Sequence, residues 1–367
     1  MGGLPEGLGG TAPGAVSGAK KLSFFSPLFG KITYIVDMEK ILTFADLETQ
    51  SKKKITRREE FLGKMESIVP WFNIVSLVKP YYYSNKTGRP ATRLEVILRM
   101  YFLQIWFSIS DEGLEDSIYD SNSFRAFLGV DMSSIPDATV LCNFRKLISD
   151  NGLGSKILSL VNSMIERNGL IMRGGTIMDA TIHEAPKSTR NESHARDPEM
   201  ASTKKHGSYY FGAKSHIGVD AFTGLVHSVE VTSANVHDVT VAHKLIRPDD
   251  DFAGGDSGYV GLENREDMMH DPFLSQVRCE IVERPSSWKK KGLSKLAEEF
   301  DRSGERRLIS KRQKVEYVFH VLKNIFRFRK LQYKGLAKNM ERLMAAFANV
   351  NLYMLAIAGR RFCPLLG

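Results

Sequence analysis

The sequence predicts a mixed α/β protein in which a helical region precedes a domain built from strands and helices. Apolar residues recur at helical spacing between residues 57 and 148, which predicts several helices. Short β-branched and apolar runs begin after Gly175, and long helical patterns return after residue 307. A chain of 367 residues can bury a complete core, and we expect two domains. Alternation of strands and helices in the second half makes the fold class α/β rather than all-helical.

The first half is predicted to consist of helices joined by tight turns. Asp137, directly after Pro136, is predicted to cap one of them. Such a series is typical of a helix-turn-helix DNA-binding domain, and an all-helical dimerisation domain explains the same pattern. The predicted helical segments are 52–68, a patch around Trp71 and Ile74, 92–107, 111–119, 121–128 and 138–148.

The second half is predicted to open with a strand at 176–181 and a long polar loop at 186–207. Two alternating runs, 211–219 and 225–232, are expected to form a hairpin about the turn 220–224. The remaining predicted elements are a helix at 235–245, strands at 251–256 and 276–282, and helices at 307–328 and 339–358.

The charge is strongly uneven along the chain. The formal net charge is +9, yet residues 284–342 contain 18 basic and 6 acidic residues, so the remainder is slightly acidic. A local basic surface attracts polyanions such as DNA, because neutralised phosphates release their counterions. A solvated charged face without a partner is the alternative interpretation.

Other compositional features narrow the class of protein. Cys142, Cys279 and Cys363 are widely separated, which argues against a disulfide framework or a zinc site and fits a reducing cytoplasm. No apolar run is long enough to cross a bilayer without interruption. Residues 1–37 are rich in glycine and alanine, and we expect a disordered leader, or an upstream start ahead of Met38, rather than an export signal.

Three acidic residues are candidates for a metal site. Asp179 and Asp256 each end an apolar run, and Gly254-Gly255 lets the backbone approach closely before Asp256. Glu316 lies on a periodic helix with Arg312 and Lys323 on the same face. We expect the three carboxylates to meet and hold two Mg²⁺ ions, which prefer oxygen ligands. Capping roles for the aspartates and an ion pair for Glu316 are the alternatives.

Several motifs in order resemble the bacterial insertion-sequence transposases of the DDE type, most closely insertion-sequence family five. The resemblance covers nearly everything from residue 38 to residue 358. The matching stretches are Gly88-Arg89-Pro90, Met100-Tyr101-Phe102-Leu103-Gln104 with Leu114-Glu115-Asp116, Met178-Asp179-Ala180-Thr181, Arg196-Asp197-Pro198-Glu199-Met200, residues 210–220, Ala234-Asn235-Val236-His237-Asp238, Gly255-Asp256-Ser257-Gly258-Tyr259, and residues 333–339.

This resemblance implies an RNase H-like catalytic core with a mixed five-stranded sheet at residues 171–338. A helical DNA-binding domain at 38–170 would precede it, and a C-terminal helix and tail at 339–367 would follow. The metal-binding triad falls on Asp179, Asp256 and Glu316, with Mg²⁺ or Mn²⁺ as the cofactor. The family's Tyr–Arg–Glu–Lys signature falls on Ile309, Arg312, Glu316 and Lys323, so this chain departs from it at Ile309.

The implied function is a transposase that binds the terminal inverted repeats of an insertion sequence, hydrolyses phosphodiester bonds and joins the 3′-OH ends to target DNA. A metal-dependent endonuclease without strand transfer and a non-catalytic DNA-binding remnant are the alternatives. Expected partners are double-stranded DNA and a second copy of the chain, with no membrane and no nucleotide cofactor, in the bacterial cytoplasm at the nucleoid. Trp288 stacking on a base or lying on the surface without a role are both open. The candidate DNA-contacting residues are Arg312, Lys323, Lys289, Lys290, Lys291, Arg327, Arg329, Lys330, Lys334, Lys338 and Trp288.

Overall fold

The computed structural model describes residues 53–82, 91–170, 174–190, 192, 194–205, 207–282 and 312–358. The predicted leader at 1–37 and the stretch Gly88-Arg89-Pro90 lie outside the described residues. The first half is helical as predicted. Its helices are α1 (Arg57–Ile68), α2 (Trp71–Val78), α3 (Leu94–Phe107), α4 (Asp111–Asp120), α5 (Asn122–Leu128), α6 (Ala138–Asp150) and α7 (Leu153–Arg167).

Side-chain caps mark the start of α1, α4, α5 and α6. Thr56 and Glu59 form a reciprocal capping box at the start of α1. The predicted cap at Asp137 is confirmed, because its carboxylate accepts from the Val140 N–H at 2.8 Å. Helix α7 was not predicted, although buried residues recur along it at helical spacing. It begins after Gly152, which adopts a positive φ of 59°.

The second half forms one mixed sheet of six strands. Strands neighbour one another in the order β2-β3-β1-β5-β6, and β4 pairs with β3. β1 is antiparallel to β3, whereas β1, β5 and β6 run parallel. The strands are β1 (Thr176–Glu184), β2 (Ala201–Lys205), β3 (Ser208–Asp220), β4 (Val226–Ser233), β5 (Phe252–Gly255) and β6 (Arg278–Ile281).

Three predictions about this half need correction. The segment 186–207 is not entirely loop, because Ala201–Lys205 pairs with the first residues of β3. This extra strand gives six strands rather than five. The predicted helix at 235–245 is a short helix, α8 (Asp238–Val241), followed by a 3₁₀ turn at Ala242–Lys244. A further short helix, α9 (Glu266–Met269), precedes β6.

Two C-terminal helices pack against the sheet and the helical region. Helix α10 runs through residues 312–320 and continues as a π-helix at Val321–Ile325. Helix α11 (Leu336–Ala358) contacts α1, α7 and β4. Two of its buried asparagines contribute side-chain hydrogen bonds: Asn349 accepts from the Trp106 indole, and Asn351 bonds both backbone groups of Val226. In the described residues, no helix is long and apolar enough to cross a membrane.

One buried hydrophobic cluster includes side chains from the helices of the first half, from β1 and β3, and from α11. A smaller cluster lies between β5 and the short helices that follow it. The helical region and the sheet therefore share a core in the described part of the chain. The boundaries at residues 38, 171 and 339 stay a prediction.

Candidate active site

Asp179 and Asp256 occupy equivalent positions on neighbouring parallel strands. β1 and β5 pair through Thr176 with Ala253 and through Ile177 with Gly254. Asp179 comes two residues after Ile177, and Asp256 comes two residues after Gly254. Side chains at i and i+2 of a strand point to the same face, and paired strands lie about 5 Å apart. The register thus brings the two carboxylates together at the carboxyl end of the parallel pair.

Asp179 ends an apolar run in the sequence but does not end its strand. β1 continues to Glu184, and Asp179 pairs with Ile217 of β3. The strand extends because β3 is long enough to pair with its second half. What ends near Asp179 is the pairing with β5, which leaves that edge of β1 open.

Asp256 lies close enough to Asp179 for its negative charge to raise the pKa of Asp179. Burial raises the pKa of Asp179 to about 6. The negative charge of Asp256 also raises this pKa, whereas the hydrogen bond from the Ala180 N–H and the charge of Arg312 lower it. Asp179 Oδ1 accepts from Ala180 N at 2.7 Å, and Asp256 Oδ1 accepts from Gly258 N at 2.9 Å. The Arg312 guanidinium lies 3.9 Å from Asp179 Oδ2, at the limit of an ion pair. The pair is only partly neutralised.

Glu316 is not part of a preassembled cluster. Its side chain is exposed on α10, one turn after Arg312 on the same helical face. Among the described residues, no group of three or more His, Cys, Asp or Glu side chains is arranged to hold a metal ion. The structure therefore brings two of the three predicted ligands together and places the third on the helix that contacts them.

Helix α10 lies across the face of β1 that carries Asp179. Lys323 donates to the Thr181 hydroxyl and, at 2.9 Å, to the Ile182 carbonyl. Burial lowers the pKa of Lys323 to about 8, and the charges of Lys205 and Arg329 add to this. Lys323 belongs to the π-helical turn, a feature that is common at functional sites. Arg312 and Lys323 thus contact the same strand on both sides of Glu316.

The other predicted DNA-contacting residues are spread along the segment after α10. Arg327, Arg329, Lys330, Lys334 and Lys338 are exposed. Arg329 donates to Lys323 O at 3.2 Å and to Asn324 Oδ1 at 2.9 Å, so it closes the end of α10. The remaining candidates, Trp288, Lys289, Lys290 and Lys291, lie outside the described residues, as does Ile309.

A third aspartate, Asp238, lies beside the pair and was not predicted as a site residue. A Cβ built on Gly258 would lie 2.9 Å from Asp256 Oδ1 and 3.5 Å from Asp238 Oδ2, so the two oxygens flank one backbone position. Lys214 donates to Asp238 Oδ1 at 2.9 Å and neutralises it in part. Its signal in the sequence was the stretch Ala234-Asn235-Val236-His237-Asp238, to which no role was assigned.

Tyr259 lies beside the three carboxylates of Asp179, Asp238 and Asp256. Its side chain is fully buried, and its hydroxyl has no hydrogen-bond partner among the residues that the structure describes. Burial raises the pKa of that hydroxyl, and the carboxylates of Asp238, Asp179 and Asp256 raise it further. A buried hydroxyl usually has a partner. Here it lies near three carboxylates and can donate to one of them or to a ligand that they bind.

Other residues of the recognised stretches have structural roles. Asp197 accepts from Gly335 N and Glu199 from Leu336 N, each at 2.6 Å, so they cap the start of α11. Asn339 donates back to the Tyr333 and Gly335 carbonyls at 2.7 Å. Burial lowers the pKa of His183 to about 3 and that of His216 to about 4, so both are neutral in the folded protein.

Comparison with known protein families gives two matches in chain order. Residues 172–352, which contain β1 to β6 and all three predicted acids, match the family described as Transposase DDE domain. Residues 49–147, which contain most of the helical region, match the family described as Transposase domain (DUF772). No solved structure matches the chain. Together with the paired aspartates, these matches support an insertion-sequence transposase of the DDE type.

Proposed function

We propose that this protein is a DNA transposase of insertion-sequence family five that binds terminal inverted repeats, cuts at the element's ends and joins the 3′-OH ends to target DNA. The observation that carries this proposal is the register of β1 and β5, which puts Asp179 and Asp256 side by side. Transposase activity in general is supported by the matched domains. The end sequence, the two-metal chemistry and the joining step belong to the proposal.

The site fits a divalent metal by its donors and its charge. Asp179 and Asp256 offer carboxylate oxygens, and the Arg312 guanidinium is 3.9 Å from Asp179, so it neutralises the two acids only in part. We propose that Asp179, Asp256 and Glu316 hold two Mg²⁺ ions, or Mn²⁺ in their place, and that Glu316 turns inward when they bind. When bound, the metal supplies Lewis-acid chemistry for hydrolysis and transesterification of phosphodiesters.

The protein's own residues would hold and orient the DNA around this centre. Arg312 keeps Asp179 in place and offers a guanidinium beside the carboxylates. Lys323 is fixed by its bonds to β1 and contributes a positive charge near the scissile phosphate. Tyr259 can donate its free hydroxyl into the centre. The attacking groups are water and then a DNA 3′-OH, so no Ser, Tyr or Cys nucleophile is required.

An RNase H-like core is supported by the arrangement of strands. Five of the six strands, in the order β4-β3-β1-β5-β6 with β1 antiparallel to β3 and parallel to β5, are compatible with the mixed five-stranded sheet that the resemblance implies. β2 is then an addition to β3. The helices from α1 to α7 would form the DNA-binding domain, and two copies of the chain would act on the two ends of the element.

The test is cleavage of the element's own termini with and without Mg²⁺. We expect metal-dependent cuts by the wild type and none by Asp256→Asn, with DNA binding retained. Asp251→Asn is the matched control, because Asp251 is exposed and lies just before β5. Cleavage by Asp256→Asn at the wild-type rate would disprove the assignment of this acid.

A joining assay with pre-cut ends separates the proposal from a nuclease. We expect strand transfer into a target plasmid, with the joined product requiring a free 3′-OH. Nicks without any joined product would favour the metal-dependent endonuclease. Binding to the ends without cleavage under any metal condition would favour the DNA-binding remnant.

A further inference from the structure

A second charged site lies away from the aspartates, where α6 meets the start of α11. A cleft of about 240 Å³ opens there between the two helices. Its walls contain five cationic side chains and one carboxylate: Arg145, Lys146, Lys334, Lys338, Arg342 and Glu341. The cleft is smaller than the usual site for a drug-sized ligand, and its size suits a group such as a phosphate.

Two arginines share one aromatic ring in this cleft. The guanidinium carbons of Arg145 and Arg342 lie 4.4 and 4.8 Å from the centroid of the Tyr333 ring. Arg145 also donates to the Tyr333 hydroxyl at 2.8 Å. Both guanidinium groups are therefore held in fixed positions before any ligand binds.

Within the described part of the chain, no carboxylate forms an ion pair with Arg342, and Asp111 acts on its charge only at longer range. Arg145 pairs with Asp111 at 2.6 Å. Arg342 is only 2% exposed and bonds Gln332, while its Nε and Nη2 have no hydrogen-bond partner among the described residues. Glu341 is engaged elsewhere, by the Ser155 N–H at 3.0 Å and the Ser155 hydroxyl at 2.7 Å. A buried cation without a partner is costly unless an anion from outside provides one.

We propose that this cleft binds a backbone phosphate of DNA, with Arg342 and Arg145 in its wall and Lys334 and Lys338 at its rim. A guanidinium offers paired N–H donors that match a phosphate. The exposed lysines extend the positive surface beyond one phosphate group, which favours a polyanion over a free ion. The inference rests on the proposed function insofar as the phosphate belongs to DNA.

The chain also limits how far the cleft lies from the acids. Asp179 and Glu184 are five residues apart on β1, which is roughly 17 Å. Glu184 pairs with Lys330, three residues before Tyr333. The cleft is then within roughly 30 Å of Asp179, or about nine base steps of a DNA strand. A duplex held at Asp179 can reach it.

The experiment measures binding of metal-free protein to a duplex that carries an element end, across a range of salt concentrations. We expect Lys334→Gln with Lys338→Gln to weaken binding about tenfold. The slope of log K against log[salt] should become shallower by about one for each lysine removed. Lys244→Gln, an exposed lysine beside α8, is the control and should bind like the wild type. Unchanged affinity and salt dependence in the double variant would overturn the proposal.

Replacing single phosphates by neutral methylphosphonates locates the contact. We expect one position within about nine base steps of the cut to weaken wild-type binding. The same replacement should have little effect on Arg342→Lys, which keeps the charge but not the paired donors. If Arg342→Lys does not fold, the double lysine variant provides the same comparison. A scan in which every position matters equally in wild type and variant would contradict a specific site.

Inorganic phosphate distinguishes a DNA site from a site for a free anion. If phosphate raises the melting temperature of the wild type but not of Arg342→Lys, while all variants bind DNA normally, the ligand is a free anion and the DNA assignment is wrong. Failure of the proposed function looks different. In that case the cleft variants still lose DNA affinity, although the wild type neither cuts nor joins.

Discussion

Two pairs of aspartates lie at opposite ends of the β1–β5 pairing, and they have opposite surroundings. Asp179 and Asp256 are at the carboxyl ends of the β1–β5 pairing. Asp220 pairs with Thr176, the first residue of β1, and Asp250 comes two residues before β5. The second pair is fully buried. The first is half-buried and faces the open edge of β1.

The buried pair shares one guanidinium and accepts several hydrogen bonds from its neighbours. Arg247 lies 2.8 Å from Asp250 Oδ1 and 3.5 Å from Asp220 Oδ2. Asp220 Oδ1 also accepts three hydrogen bonds from the turn, from Phe222 N, Thr223 N and the Thr223 hydroxyl. Asp179, in contrast, has one backbone donor and a distant guanidinium. Acids that the protein satisfies serve the fold, whereas acids that it leaves short of positive charge are available to a cation from outside.

The largest expected effect is on activity. Asp179→Asn should reduce metal-dependent cleavage at least about a thousandfold, because the loss of a metal-binding carboxylate removes several kcal/mol of transition-state stabilisation. Asp250→Asn, assayed at a temperature where it is folded, should cut at nearly the wild-type rate. Quantified cleavage of an end-labelled duplex measures both. If Asp179→Asn and Asp250→Asn lost the same fraction of the cleavage rate, the two pairs would not differ in their role in cleavage.

The next effect is a loss of stability, and we expect it in the buried pair rather than in the half-buried pair. Asp250→Asn should lower the free energy of unfolding by about 3 kcal/mol, because it leaves the positive charge of Arg247 less compensated in a buried site. Urea denaturation followed by circular dichroism measures this loss. Asp249→Asn, at the neighbouring exposed position, serves as the control. A stability loss of less than about 1 kcal/mol would show that Asp250 is not a structural ion-pair partner.

Asp238 tests how far the catalytic group extends. Asp238→Asn should reduce cleavage by roughly ten- to a hundredfold, because it weakens the contact with Lys214 and alters the charge beside Asp256. If Asp238 acts through the metal-binding pair, the Mg²⁺ concentration for half-maximal cleavage should also rise. A lower melting temperature with unchanged cleavage and Mg²⁺ dependence would assign it a purely structural role.

The smallest effect is a gain in stability. Asp179→Asn should raise the free energy of unfolding at pH 7.5 by about 1 to 2 kcal/mol in the absence of metal, because an incompletely neutralised charge is removed. The pKa of Asp179 is raised from 3.8 to about 6 on folding. Its proton therefore stabilises the fold fully below pH 3.8, and this contribution is lost as the pH rises through 6.

The difference between Asp179→Asn and wild type should accordingly be largest above pH 6 and vanish below about pH 4. Thermal unfolding at a series of pH values in EDTA measures it. Asp251→Asn should show no such pH dependence. A variant that is less stable than wild type at every pH would show that Asp179 is satisfied within the fold, like Asp220.

The sequence predicted the elements well where periodicity is local. Most helices, the hairpin about 220–224 and the cap at Asp137 follow from patterns within a few residues, whereas α7 was missed although its periodicity is just as local. The pairing of Asp179 with Asp256 was predicted as an outcome, but its cause, the shared register of two strands far apart in the chain, is a tertiary property. The same is true of Asp197 and Glu199, whose partners lie about 138 positions away at the start of α11.

Charge compensation is the part that sequence could not supply. Arg342 is one of 18 basic residues in its region, and nothing local marks it as buried. Asp238, Asp250 and Asp220 likewise look alike until their neighbours are known. For Glu316, the spacing predicted the helical face that it shares with Arg312 and Lys323. Its exposure could not be predicted, because it depends on how α10 packs on β1.

Asp179 and Asp256 each come two residues after the same pair of the sheet, Ile177 and Gly254, so the proposed chemistry depends on the correct strand register. A one-residue slip of β5 against β1 would turn the Asp256 side chain to the opposite face and bury a charge against the short helices behind the sheet. Mispaired chains are thus penalised twice, in stability and in activity. Under the proposed function, a misaligned copy would separate the two aspartates and would be unable to cut DNA.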